Sequence, residues 1–219
     1  MKPVKFYGYG LNEPKEFTVA WNLGNSCNWE CEYCPSYLNS GSVYWTENEL
    51  VKSTLIKIKN KFIDQKIKVE FMGGEVTLKP DFIDLAKFCH EQGFYVHILT
   101  NASRTVSYWE RLAPYLNSAL LSFHPSFASK EHYESIIDVI VKHNATPHCH
   151  LAMVKEQFWS LVEYKQYLQK KYDNTVSVDF ILSLIYTGSM SGIYLSNSLF
   201  TCIQVFIGEV AQTVRAMDS

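Results

Sequence analysis

Three cysteines follow one another closely in the first part of this 219-residue chain. Cys27, Cys31 and Cys34 have the spacing CxxxCxxC and lie directly after a short apolar segment. Three thiolates on one loop can each bind one iron of a cubane iron–sulfur cluster. The fourth iron of such a cluster has no protein ligand and is open to a substrate or a cofactor. The spacing therefore predicts a redox-active metal centre on this loop.

A zinc site is the alternative that the same cysteines leave open, because Zn²⁺ also binds thiolates. Structural zinc usually has four protein ligands. The next cysteine or histidine in the chain is Cys89, so a fourth ligand would have to come from a distant segment. Cys89, Cys149 and Cys202 stand alone, and we expect Cys89 and Cys149 to be small buried core residues.

Short apolar runs alternate with helical patterns on both sides of this loop. The first run has Phe17, Val19, Trp21 and Leu23 at period two, which is typical of a strand. Six such runs predict strands at 16–23, 67–72, 94–100, 118–123, 147–154 and 176–182. Helical patterns lie between them, at 46–62, 80–92, 107–113, 129–141 and 157–172. Strands that alternate with helices imply parallel crossovers, and therefore an open α/β sheet or a barrel.

Two of the predicted helices begin with a capping signal. Thr46 and Glu49 have the spacing of a capping box, in which each side chain bonds the other residue's backbone N–H. Ser129 precedes the fourth helical pattern and is a typical N-cap residue. We therefore expect helices to begin next to these residues.

A second motif, Gly73-Gly74-Glu75, follows the second predicted strand, and Thr100-Asn101 follow the third. Alone, the glycine pair would indicate an ordinary strand-to-helix turn. Together with the cysteines, and after consecutive strands, these residues resemble the radical S-adenosylmethionine (SAM) superfamily. The resemblance covers about residues 17–182 and includes the aromatic Tyr33 before the last cysteine. Val76 departs from it, because the family usually has proline at this position.

The resemblance implies a partial (β/α)₆ TIM-like barrel of parallel strands with a 4Fe–4S cluster on the three cysteines. It also implies an enzyme that cleaves SAM reductively to a 5′-deoxyadenosyl radical, which abstracts hydrogen from a substrate. A reductant protein such as flavodoxin or ferredoxin is the implied electron source. A zinc-stabilised or degenerate, non-catalytic binding module of the same fold is the alternative.

The resemblance further implies which residues contact SAM. Glu75 is expected to pair with the methionyl amine through a charge-assisted hydrogen bond. The hydroxyl and amide groups at the ends of the third and fourth strands are expected near the ribose. The full implied set of cofactor contacts is Tyr33, Gly73, Gly74, Glu75, Thr100, Asn101 and Ser122.

Side-chain alternation predicts a polar inner face for the barrel. On the fifth strand Cys149 and Leu151 share the apolar side, which leaves His148 and His150 inward. The inward polar set is Asn22, Ser122, His124, His148, His150 and Asp179. We expect a polar substrate here, in contact with His124 and with His148 or His150. A hydrogen-bonded structural role is the alternative for each histidine.

Composition limits the function classes that remain. Hydrophobic residues make up 47% and charged residues 19%, so a sizeable core is expected. A net charge of −2 argues against a general nucleic-acid surface. No apolar run approaches the roughly 18 residues of a membrane helix, and the start of the chain has no secretory pattern. We therefore expect a cytoplasmic protein.

The chain is expected to contain one core domain. Residues 1–15 are an N-terminal extension, residues 16–182 are the radical SAM core, and residues 183–219 are a C-terminal segment. Residues 210–216 look like the tail that forms when a reading frame runs into a transfer-RNA gene. A truncated or non-native end to the C-terminal segment is therefore the expectation.

Overall fold

The computed structural model describes residues 16–173 and 175–182. Its six strands form one sheet in which every neighbouring pair is parallel. They are β1 (Glu16–Asn22), β2 (Lys66–Met72), β3 (Tyr95–Thr100), β4 (Ser118–Phe123), β5 (Thr146–Met153) and β6 (Ser177–Leu182). Their order in the sheet is their order in the chain, which is the winding of a (β/α) barrel. The predicted α/β class and parallel strands are confirmed, and each strand boundary lies within one residue of the prediction.

Six α-helices accompany the described strands. They are α1 (Ser36–Asn39), α2 (Asn48–Lys61), α3 (Phe82–Glu91), α4 (Val106–Leu112), α5 (Lys130–Lys142) and α6 (Phe158–Lys171). On α5, Tyr133, Ile136, Ile137 and Ile140 are buried, which is the stripe that a helix needs to pack on a sheet. The short α1 within the cysteine loop was not predicted, because four residues are too few to show a helical period.

The two capping predictions have different outcomes. The prediction at Ser129 is confirmed, because its hydroxyl accepts the backbone N–H of His132 at 3.3 Å. The capping box at Thr46 and Glu49 is wrong, because α2 begins at Asn48 without a side-chain cap. Thr46 instead donates its backbone N–H to the carbonyl of Leu23 at 2.7 Å, which ties it to the end of β1.

The sheet has an apolar face against the helices and a polar inner face. Val69, Ala119 and Cys149 are among the strand residues fully buried in one hydrophobic core. Cys89, on α3, belongs to the same core, as expected. Between them on the strands lie polar residues, and the register pairs His150 of β5 with both Ser122 and Asp179.

Several predictions concern residues outside the described part of the chain. The N-terminal extension, the C-terminal segment with its tail, and Cys202 all lie there. Among the described residues, no helix combines the length and the apolar character needed to cross a membrane.

Candidate functional site

Four consecutive strands end in loops that carry the predicted site residues. The carboxyl ends of parallel strands lie at one edge of the sheet, so these loops are neighbours. The cysteine loop follows β1, and Gly73-Gly74-Glu75 follow β2. Thr100 ends β3, and His124 comes directly after β4. Residues that are up to about a hundred positions apart in the chain therefore meet here.

The loop after β1 and the turn after β2 are joined backbone to backbone. The N–H of Gly74 donates to the carbonyl of Gly24 at 3.0 Å, and the N–H of Glu75 donates to the carbonyl of Ser26 at 2.8 Å. A Cβ atom added to Gly73 would lie 2.4 Å from the Gly24 oxygen, and one added to Gly74 would lie 2.2 Å from the Ser26 oxygen. The glycine pair is therefore required by this close approach, and not only by the turn.

Asn25 organises the cysteine loop from within. Its side chain is 3% exposed, and its Nδ2 lies 2.9 Å from the carbonyl of Tyr37 and 3.1 Å from the hydroxyl of Ser40. Its Oδ1 accepts the backbone N–H of Val43 at 2.7 Å. One buried amide thus connects the start of the loop with its far side.

The three thiols of this loop are free; Cys31 is buried, and Cys27 and Cys34 are half-buried. Burial raises the pKa of Cys27, of Cys31 and of Cys34, the last to about 11. The other two thiols add to this rise at Cys34, because neighbouring thiolates repel one another. The loop on its own therefore favours protonated thiols.

These donors fit an iron–sulfur cluster. Bound iron supplies positive charge that offsets the repulsion between three adjacent thiolates, and metal binding releases the protons of the thiols. Among residues 16–173 and 175–182, no three His, Cys, Asp or Glu side chains surround a single ion position. The cysteines of a cubane cluster bind three different irons, so they do not need to converge on one point.

Glu75 is fully buried, and its carboxylate bridges β2 and β3. Oε1 accepts hydrogen bonds from the hydroxyl of Thr77 at 2.6 Å, the N–H of Thr77 at 3.0 Å and the hydroxyl of Thr100 at 2.7 Å. Oε2 accepts the N–H of Asn101 at 2.6 Å. Burial raises the pKa of Glu75, whereas these four donors oppose the rise. A direct contact between Glu75 and a methionyl amine stays a prediction.

Tyr33 and His124 form one stacked pair beside Cys31. Their rings lie 5.7 Å apart and nearly parallel, and the Tyr33 hydroxyl is 2.6 Å from Nδ1 of His124. The same Nδ1 lies 3.4 Å from Sγ of Cys31. Trp29 and the imidazole meet edge to face, with ring centroids 5.5 Å apart. Burial lowers the pKa of His124 to about 4, so this imidazole is neutral at pH 7.

Asn101 contacts the cysteine loop from the other side. Its Nδ2 donates to Oδ1 of Asn28 at 3.0 Å and lies 3.8 Å from Sγ of Cys27. A cleft of about 280 Å³ adjoins these residues and is also lined by Trp29 and Phe127, whose rings stack 5.6 Å apart. Sequence analysis did not identify this aromatic pair, because no local pattern signals a contact between separate loops.

A second cluster of polar side chains lies on the inner face of the sheet, further from the edge that carries the cysteine loop. Nδ1 of His148 lies 2.9 Å from the hydroxyl of Ser177, and Nδ1 of His97 lies 2.6 Å from the hydroxyl of Ser118. The rings of His97 and His148 are 6.2 Å apart. The sequence analysis did not name His97, although its position between the apolar residues Val96 and Ile98 predicts an inward side chain by the same alternation.

The structure separates the three histidines that were expected at the substrate. His148 is level with Leu120 of β4, and His124 lies four residues further along that strand direction. At roughly 3.3 Å per residue, this is a separation of about 13 Å along the sheet. His150 is level with Ser122 and lies between the two. A substrate contact of His124 together with His148 or His150 stays a prediction, and in the structure His124 is grouped with the cysteine loop.

Comparison with known proteins gives the family. A family model described as the radical SAM superfamily matches residues 21–151, which include the cysteine loop and both neighbouring motifs. The chain belongs to the radical SAM superfamily. The predicted family is therefore confirmed.

Two curated radical SAM relatives match parts of the chain. An S-adenosylmethionine-dependent nucleotide dehydratase of Fibrobacter sp. is 30% identical over 95 residues, which are 41% of this chain and 28% of the relative. A pyruvate formate-lyase-activating enzyme of Clostridium pasteurianum is 41% identical over 78 residues, which are 34% of this chain and 32% of the relative. The matched part thus spans about a third or less of these relatives' own length.

A solved structure supports the radical SAM fold. Native anSMEcpe with bound AdoMet aligns with a TM-score of 0.61 at 17% identity, covering 81% of this chain and 54% of that chain. At this identity the likeness shows the fold alone. The described residues therefore form a partial barrel of the radical SAM kind.

Proposed function

We propose that this chain is a radical SAM enzyme that binds a 4Fe–4S cluster through Cys27, Cys31 and Cys34. The cluster, once reduced, would supply the electron that splits SAM into methionine and a 5′-deoxyadenosyl radical, which takes a hydrogen atom from the substrate. The observation that carries the proposal is the backbone pairing between the cysteine loop and Gly74 and Glu75. This pairing fixes the cluster ligands next to the turn that the family uses for SAM.

In this proposal, residues at the ends of the first four strands bind SAM or support its binding. The backbone around Gly73 and Gly74 binds the methionyl group, because no side chain separates it from the cysteine loop. Glu75 fixes that backbone and Thr100 acts through Glu75, since the Thr100 hydroxyl donates to it. The backbone of Tyr33 faces the adenine, and the half-buried hydroxyl of Ser122 serves the ribose.

The substrate in this proposal is polar and lies on the inner face. His148 and His150 are half-buried, and burial lowers the pKa of both, so both are neutral hydrogen-bonding groups at pH 7. A neutral imidazole can donate and accept, which suits a hydroxyl or amide group of a substrate. The proposed reductant is a small redox protein such as flavodoxin or ferredoxin, and the proposed compartment is a reducing cytoplasm.

Anaerobic reconstitution tests the proposal directly. Protein purified without oxygen is incubated with iron and sulfide, analysed for iron, sulfide and zinc, then reduced with dithionite in the presence of SAM. We expect about four irons per chain and the release of 5′-deoxyadenosine and methionine in equal amounts. Cys31→Ala should lose both properties.

The matched control is Cys89→Ala, because Cys89 is a fully buried thiol of the hydrophobic core. It should keep the iron content and the SAM cleavage of the unchanged protein. A colourless protein with one tightly bound zinc would support the alternative, a zinc-stabilised binding module. A protein with a full cluster that does not cleave SAM would support a non-catalytic relative.

A further inference from the structure

Two side chains at strand ends direct nitrogen atoms at the thiols of the cysteine loop. Nδ2 of Asn101, after β3, lies 3.8 Å from Sγ of Cys27. Nδ1 of His124, after β4, lies 3.4 Å from Sγ of Cys31. Asn101 was expected at a ribose and His124 at a substrate. In the structure both contact the proposed cluster ligands.

The contact at Cys27 has a defined direction. An amide nitrogen can only donate, so the bond runs from Asn101 to the sulfur. The orientation of the amide is fixed twice, because Nδ2 also donates to Oδ1 of Asn28 and Oδ1 accepts the N–H of Ser103 at 3.0 Å. Asn101 is 7% exposed, so water does not readily replace this donor.

At Cys31 the imidazole nitrogen has two hydrogen-bonding neighbours. Nδ1 of His124 faces both the Tyr33 hydroxyl at 2.6 Å and Sγ of Cys31 at 3.4 Å. Beside a thiolate the tautomer with hydrogen on Nδ1 is favoured, because an anion stabilises hydrogen-bond donors that point at it. In that tautomer either the imidazole N–H or the Tyr33 hydroxyl donates to the sulfur. Stacking against Tyr33 and an edge-on contact with Trp29 hold the imidazole in place.

The third thiol has a different environment. Sγ of Cys34 lies 3.9 Å from the carbonyl oxygen of Pro35, which is a hydrogen-bond acceptor. The donors are therefore directed at Cys27 and Cys31, which makes the loop electrostatically asymmetric.

We propose that Asn101 and the Tyr33–His124 pair donate hydrogen bonds to the cluster thiolates and raise the reduction potential of the cluster. This inference rests on the proposed function, which supplies the cluster. Reduction adds an electron whose charge spreads onto the ligating sulfurs, and a donor at a sulfur stabilises the reduced form more than the oxidised form. Hydrogen bonds to cluster sulfurs are an established determinant of such potentials. In this proposal Asn101 and His124 act through the cluster ligands, as positioning residues.

The test is a redox titration of reconstituted protein without SAM or substrate, followed by EPR of the reduced cluster. His124→Phe keeps a ring against Tyr33 but removes the nitrogen, whereas His124→Asn replaces Nδ1 with an amide nitrogen. For His124→Phe we expect the ratio of reduced to oxidised cluster at a fixed potential to fall threefold to tenfold. A tenfold fall corresponds to a midpoint about 59 mV lower for one electron. His124→Asn should lie within twofold of the unchanged protein.

His148→Asn is the matched control, because it removes an inner-face imidazole that is bonded to Ser177. Its midpoint should not change. A His124→Phe protein with full iron content and an unchanged midpoint would overturn the inference while leaving the proposed function intact. Unchanged protein that takes up no cluster would instead overturn the proposed function, and the inference with it.

Loss of the cluster is also informative. If His124→Phe and Tyr33→Phe both fail to hold iron while His124→Asn holds it, a donor at Cys31 is required, which supports the inference. If His124→Asn fails as well, the imidazole has a packing role only and the inference is wrong.

Discussion

The backbone N–H of Asn101 donates a hydrogen bond of 2.6 Å to Oε2 of Glu75. The register of β2 and β3 ends at the pair Phe71 and Ile98, so this bond lies beyond the last paired residues. It therefore continues the connection between the two strands through a side chain. The carboxylate holds the turn after β2 and the loop after β3 together at the site.

Glu75→Gln should lower the free energy of unfolding by roughly 1–3 kcal/mol, which is the usual cost of a buried donor without an acceptor. All four observed partners of the carboxylate donate, so an amide NH₂ group would face another donor. Urea unfolding at pH 7 measures the difference. Glu49→Gln is the control, because Glu49 is an exposed residue paired with Lys52, and its change should stay within about 0.5 kcal/mol. Equal effects of the two substitutions would contradict the bridging role of Glu75.

Gly74→Ala should separate the cysteine loop from the turn after β2. The added Cβ would lie 2.2 Å from the Ser26 oxygen, a backbone atom that cannot move without the loop. We expect a loss of about 1–3 kcal/mol of stability, as for other overpacked sites, and reduced iron uptake on reconstitution. Iron analysis and urea unfolding measure the two effects.

Gly93→Ala separates the effect of crowding from that of backbone strain. Gly93 has a φ of +78°, but an added Cβ would have nothing within 4 Å. This variant should lose about 1 kcal/mol through strain alone and keep full iron uptake. If Gly74→Ala bound as much iron as Gly93→Ala, the close approach of the two loops would not matter for the site.

Tyr133→Phe should cost about 1 kcal/mol of stability, the typical net value of one hydrogen bond. The buried Tyr133 hydroxyl of α5 donates to the carbonyl of Leu121 in β4 at 2.7 Å. Tyr167→Phe is the matched control, because the exposed Tyr167 donates to Glu134 at 2.9 Å, where water can replace it. Thermal unfolding of both variants measures the effect. Equal melting temperatures would mean that the buried bond does not hold α5 on the sheet.

Much of the fold could be predicted because its signals are local. Period-two runs identified the strands, and parallel winding then required that the cysteines, Gly73-Gly74-Glu75 and Asn101 meet at one edge. The capping box at Thr46 failed for the opposite reason. A capping box is defined by residues close together in the chain, whereas Thr46 bonds Leu23, which directly follows β1.

The partners of individual side chains at the site could not be predicted. The stacking of Tyr33 on His124, separated by 91 residues, depends on the positions of two loops and leaves no trace in composition or spacing. The family resemblance implied that Glu75 contacts a ligand, but it did not indicate which groups of the chain surround the carboxylate. Two of its four donors, the Thr100 hydroxyl and the Asn101 N–H, lie at the end of β3 and reach the carboxylate only in the folded sheet. The alternation that identified His148 could also have identified His97, since both lie between apolar residues on a strand.

The inner face should make the protein less stable in mild acid, mainly through His97. Burial lowers the pKa of His97 to about 4, with a further lowering from Lys68, His148 and His150 and an opposing effect from Glu70. The folded-state pKa lies below the unfolded value of about 6.5, so the unfolded state binds the proton first as pH falls. The stability contributed by neutral His97 is present above pH 6.5 and is lost as pH falls toward 4.

His97→Gln tests this sign, because glutamine does not titrate and can still bond the Ser118 hydroxyl, which lies 2.6 Å from Nδ1 of His97. Between pH 7.5 and pH 5 the unchanged protein should lose about 2 kcal/mol more unfolding free energy than this variant. Urea unfolding at the two pH values gives the difference. His90→Gln, at an exposed position on α3, is the control for the substitution itself. If the unfolding free energy of His97→Gln fell between the two pH values as much as that of the unchanged protein, His97 would be protonated in the folded state at pH 5. The polar inner face would then carry positive charge rather than neutral imidazoles.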